Sequence, residues 1–113
     1  MPFIDSKITV PVSDEKKEKI KAEFGKALSV MHKPEDYLMV GIADNYDLWF
    51  GGKKLDKGAF VAVDVLGTPA SADCEKMTSE ICSILKKELD IPGDSVYVKY
   101  GGTKDWGWNG KNF

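Results

Sequence analysis

Gly58-Ala59-Phe60-Val61-Ala62-Val63-Asp64-Val65-Leu66-Gly67-Thr68-Pro69 is the stretch from which the fold can be read. Phe60, Val61, Val63 and Val65 give it the β-branched and aromatic content of a long strand. Gly67-Thr68-Pro69 predicts the turn that closes it. Downstream, Ser71 is a candidate helix cap with Asp73 in the first turn, where the helix dipole favours an acid. Met77, Ile81, Ile84, Leu85 and Leu89 then recur at helical spacing. Pro92-Gly93 breaks that helix, Val96 to Tyr100 reads as another strand, and Gly101-Gly102 predicts a turn. Trp106-Gly107-Trp108 predicts a short strand near the end.

The same order occurs upstream. Pro2 to Val10 reads as a strand, broken by Pro11. Ser13 is a candidate cap with Asp14 and Glu15 behind it. Ile20, Phe24, Ala27, Leu28 and Met31 form an apolar stripe, while Lys16, Lys17, Lys19 and Lys21 predict a solvated face. Pro34 is expected to end the helix. Tyr37 to Ala43 follows as a strand, then Leu48-Trp49-Phe50 as a short one closed by Gly51-Gly52. Ser13 and Ser71 stand 58 positions apart, and so do Leu38 and Val96. The chain therefore predicts an α+β fold of duplicated β-α-β units. A four-stranded mixed sheet would carry two helices on one face. One domain spans 1–113, with pseudo-repeat halves of about 1–56 and 57–113. The short strands lack partners in such a sheet, and unpaired edges predict a homo-oligomer.

Composition narrows the chemistry. The net charge of −2 carries no nucleic-acid footprint. No apolar run is long enough to span a membrane, and no secretory signal pattern opens the chain. All basic residues are Lys, so bidentate guanidinium clamps on carboxylate or phosphate are excluded. Cys74 and Cys82 lie roughly 12 Å apart on a helix, beyond the ~7 Å reach of a disulfide. That fits a reducing compartment. The lone His32 cannot build a metal cluster.

Pro2 is the residue with a distinctive chemical possibility. Initiator Met is trimmed before small residues, which would leave a secondary amine at the chain start. A free α-amino group titrates near ~7.7–8.0, and burial or a nearby cation lowers that value. Placed on a central buried strand, such a nitrogen is a candidate general base near neutral pH.

Over its whole length the chain resembles the macrophage migration inhibitory factor family of the tautomerase superfamily. The resemblance rests on Met1-Pro2-Phe3-Ile4, Lys33-Pro34 followed by Tyr37, Phe50-Gly51-Gly52, and Leu66-Gly67. It continues in Val96-Tyr97-Val98 and in Gly107-Trp108-Asn109-Gly110 with Phe113. It implies a homotrimer with active sites between neighbouring subunits. It also implies cofactor-free keto–enol tautomerisation of phenylpyruvate-like and dopachrome-like compounds. Pro2 matches the catalytic proline. Lys33 matches the lysine that binds and polarises the substrate, and Leu66 the position whose backbone N–H contacts it. Tyr97 matches an aromatic wall from the neighbouring subunit, while Trp108, Phe113, Tyr37 and Phe3 match or adjoin other wall positions.

The chain departs from the family pattern in three places. Lys99 stands where well-known members carry a substrate-binding Asn, which predicts a second cation in the pocket that either lowers the amine's pKa further or favours a more acidic substrate. Gly58 and Val61 replace a CxxC, so thiol oxidoreductase activity is not expected. Trp106 replaces a smaller residue at the rim and narrows the mouth. The resemblance also implies an alternative role, a cytokine-like ligand of a cell-surface receptor with only vestigial tautomerase activity. The expected localisation is cytoplasmic, or outside the cell by a route that needs no signal peptide.

Overall fold

The computed structural model describes residues 1–113. Strand β1 (Pro2–Ile8) leads to helix α1 (Asp14–Ala27), and strand β2 (Met39–Ala43) follows. A hairpin of β3 (Trp49–Phe50) and β4 (Lys53–Lys54) comes next, then β5 (Ala59–Leu66) and α2 (Ser71–Leu89). Strand β6 (Val96–Thr103) and a second hairpin, β7 (Gly107–Trp108) with β8 (Lys111–Asn112), complete the chain. The main sheet is ordered β2-β1-β5-β6. Each half contributes a parallel pair, β1 with β2 and β5 with β6. The halves join by antiparallel pairing of β1 and β5, so the sheet is mixed.

Both helices lie on one face, as the apolar stripes require. Ile4 and Ile8 of β1 and Val61, Val63 and Val65 of β5 point into the core. They meet Ile20, Phe24 and Leu28 from the first helical segment and Met77, Ile81 and Leu85 from the second. Burying each such side chain contributes about 1.5–3 kcal/mol. On α2, the Glu88 side chain is 2 % exposed and ion-pairs with Lys16 at 3.0 Å and Lys19 at 3.6 Å. Those two lysines of α1, on its largely solvated face, thus also tie it to α2.

Several boundaries depart from expectation. The Ser13 side chain accepts from the Lys16 N–H, as a cap does. Ser71 does not cap α2; Ala70 holds that position, without a side-chain hydrogen bond. The first helix stops before Pro34. Leu28–Met31 tightens into a 3₁₀ turn and His32 closes it in the left-handed conformation, φ 59°. Tyr37 sits in a 3₁₀ turn, Glu35–Tyr37, ahead of β2.

Gly101-Gly102 is not a turn but continues β6. Its glycines are needed for close approach. A Cβ on Gly102 would overlap the Gly67 carbonyl oxygen and lie 2.9 Å from Pro69 Cδ. With the backbones this close, the Gly67 N–H donates to the Thr103 carbonyl at 2.8 Å.

Candidate active site

Pro2 opens β1, one of the two strands flanked on both sides, and is buried. It forms part of a cavity of about 460 Å³ lined mainly by apolar side chains. Phe3 and Met39 supply the sheet side of that cavity. Tyr37 enters from the turn before β2, and Trp106, Trp108 and Phe113 enter from the C-terminal hairpin. The Trp108 and Phe113 rings stack at 5.8 Å between centroids, 9° apart in plane. Tyr37 meets Trp108 edge-on at 5.7 Å and Phe113 at 6.3 Å, favourable geometry for aromatic pairs. Three of the matched wall positions are therefore assembled by ring packing.

Lys33 and Leu66 line no part of that cavity in the single chain. They meet each other nearby, where Lys33 Nζ donates to the Leu66 carbonyl at 3.1 Å. A residue before proline is held near extended backbone, which limits how Lys33 leaves the His32 turn. The Leu66 N–H donates to the Met1 carbonyl at 3.1 Å. Burial, and then the Lys33 ammonium, lower the Met1 amine below its ordinary value. The terminal nitrogen one residue ahead of β1 is thus held toward its neutral, basic form.

Tyr97 and Lys99 do not join these groups. Val65, the β5 neighbour of Pro2, pairs with Gly102 of β6. From Gly102 to Tyr97 the strand alone spans roughly 16 Å at ~3.3 Å per residue. Tyr97 instead packs on Phe50 at 5.1 Å. The two border a second cavity of about 170 Å³ with Trp49 and Phe60. Tyr97 is 63 % exposed and Trp49 60 %, so neither is a core residue.

Asp36 also borders the Pro2 cavity, adding a carboxylate to its rim. Sequence reasoning passed over it, and its one visible signal is its place beside Tyr37. His32 is a surface residue, with Nε2 3.6 Å from Asp73. Cys74 and Cys82 are free, and burial pushes both thiols up, away from the reactive thiolate form.

Comparison with known proteins bears on the family and the fold. The profile described as "Macrophage migration inhibitory factor (MIF)" matches residues 1–113. A curated relative, macrophage migration inhibitory factor of Xenopus laevis, is 30% identical over 83 residues, covering 72% of this chain and 71% of its own. The crystal structure of MIF2 of Leishmania major superposes with a TM-score of 0.93 at 34% identity, covering 100% of this chain and 97% of that one. The MIF-like protein of Entamoeba histolytica superposes at 0.88 with 24% identity, covering 99% and 98%, a likeness of fold.

Proposed function

The chain belongs to the macrophage migration inhibitory factor family of the tautomerase superfamily, and from that premise we propose that it is a cofactor-free keto–enol tautomerase of phenylpyruvate-like and dopachrome-like substrates. The observation that carries this reading is the setting of Pro2. It starts an inner strand of the sheet, is buried in the wall of an aromatic cavity, and directly follows Met1, whose amine is held below its ordinary value by burial and then by Lys33.

With Met1 removed, the Pro2 nitrogen is a secondary amine in a largely apolar recess. It takes a proton from the carbon beside the substrate carbonyl and returns it at the enol oxygen, or the reverse. Negative charge develops on that oxygen during transfer. A donor already in place lowers the barrier there, because it need not reorganise as the charge forms. Lys33 and the Leu66 N–H fill that role, and the aromatic side chains hold the substrate ring. On this reading the homotrimer brings Tyr97 and Lys99 of a neighbouring copy to the cavity mouth, which the single chain leaves without them.

The test follows enol–keto conversion of hydroxyphenylpyruvate by absorbance, with intact mass establishing that Met1 is absent. Pro2→Gly keeps an amine but loses the ring. Native protein is expected to outpace it by about 10²-fold, the lower range of a positioned acid–base group. Equal rates with both chains fully processed would remove the proline from the mechanism.

A further inference from the structure

The two open edges of the main sheet carry different apolar patches. Beside β2, Tyr37, Met39, Trp108 and Phe113 are exposed. Toward β6, Phe50 and Tyr97 are exposed. Apolar surface gathered in this way marks contact sites. Because the patches differ, joining them is head-to-tail, and such contacts generate closed rings when the rotation closes. The partner argued for here is a second copy of this chain.

Each patch is edged by a charge with no ion-pair partner in its own chain. Asp36 precedes Tyr37 on the first. Lys99 lies beside Tyr97 on the second, both exposed on the face of β6 turned away from the helices. Their signs are opposite, as a head-to-tail contact between the two patches requires of an ion pair. We infer that Asp36 of one copy pairs with Lys99 of the next across the mouth of the Pro2 cavity. This rests on the reading that the active site lies between copies. The pair neutralises Lys99, which leaves Lys33, held beside the cavity by the Leu66 carbonyl, as the cation matched to the substrate. The substrate class that fits is an aromatic 2-oxo acid with a single carboxylate. That reverses the expectation that Lys99 favours a more acidic substrate.

The experiment measures KM and kcat for phenylpyruvate and 4-carboxyphenylpyruvate with native protein, Asp36→Asn, Lys99→Gln and the double variant. Sedimentation equilibrium is run on each. Asp36→Asn frees Lys99 and is expected to lower KM for the carboxylated substrate by about three- to tenfold, the scale of a close interfacial charge pair. Lys99→Gln leaves an unpaired acid at the mouth and is expected to raise KM for both compounds. The double variant should return KM to within about twofold of native for phenylpyruvate. If a single variant dissociates the assembly, reassembly by the swapped pair Asp36→Lys with Lys99→Asp supports the contact equally. Single-variant effects that simply multiply in the double variant, in an active trimer, overturn this inference alone. A native protein that sediments as a monomer overturns it together with the shared-site reading.

Discussion

The Leu66 N–H donates to the carbonyl of Met1 at 3.1 Å. The donor matched to substrate recognition is therefore occupied by the residue whose removal exposes the Pro2 nitrogen. On the proposed reading, loss of Met1 would do two things in one step: create the secondary amine and free the Leu66 N–H. Turnover is expected to scale with the fraction of chains lacking Met1. Preparations with graded Met1 retention, quantified by intact mass and assayed for tautomerisation, test this. A preparation that keeps Met1 throughout yet turns over at the native rate would rule out both roles.

Lys33 Nζ, 3.1 Å from the Leu66 carbonyl, serves two purposes in the proposed chemistry. It offers a donor to developing oxyanion charge, and it opposes protonation of the terminal nitrogen. Lys33→Ala is predicted to lower kcat/KM by about one to three orders of magnitude. The pH profile separates the two purposes. Burial is the larger cause of the lowered Met1 amine and Lys33 the second, and a Pro2 amine one residue on is expected to respond in the same order. Losing Lys33 should therefore move the acidic limb of kcat/KM upward in pH, yet leave it below that of an ordinary terminal amine. An unmoved limb with reduced kcat/KM would leave Lys33 only its donor role.

The repeated strand–helix–strand order was legible in the sequence because two periods alternate cleanly. Val61, Val63 and Val65 keep a strand's period, and Ile20, Phe24 and Leu28 keep a helix's, and all of them are buried. Gly101-Gly102 was not legible. Glycine marks a turn when it supplies conformational freedom, but here it makes room for the Gly67 carbonyl. Ser71 misled because any Ser before an apolar run suggests a cap, while the actual N-cap, Ala70, has no side-chain oxygen to signal. The matched site positions divide in space. Pro2, Tyr37, Trp108 and Phe113 share a cavity within the chain, whereas Tyr97 and Lys99 stand toward the far edge of the sheet. A linear motif carries no record of that division. Asp36 was missed because a lone acid in a connecting turn has no signature until the fold places it at a cavity rim.

Asp90 ends α2 in the left-handed conformation, φ 55°. Its carboxylate accepts from Lys86 at 2.6 Å and from Lys57 at 3.0 Å. Lys86 first, then Lys57, holds the carboxyl down at about 2. A carboxyl depressed by folding adds stability above its unfolded value of ~3.9, and that stability is lost as pH falls toward about 2. Asp90→Asn tolerates the same backbone and removes only the charge. Its melting temperature should fall slightly below native at neutral pH, and the gap should close in acid. Because the pair is exposed, added salt should narrow the gap too. Thermal melts across pH and salt check this, and a gap that persists in acid would assign the loss to the cap geometry instead.

Gly102 ties the fold to the proposed chemistry. A Cβ there would strike the Gly67 carbonyl and press on Pro69. Backbone cannot yield as the end of a flexible side chain can, so Gly102→Ala must push the Gly67 turn away from β6. Overpacking of this kind costs about 1–3 kcal/mol. For a domain of this size each kcal/mol lowers Tm by roughly 4–8 °C. The turn follows Leu66 directly, and the Gly67 N–H is bonded to Thr103 at 2.8 Å. Displacing it shifts the Leu66 N–H relative to Pro2. Turnover at a temperature where the variant remains folded should then fall more than the loss of folded protein explains. Circular dichroism melts paired with the tautomerase assay separate the two effects. A variant with a lowered Tm but native kcat/KM would show that the position of Leu66 is not what sets the rate.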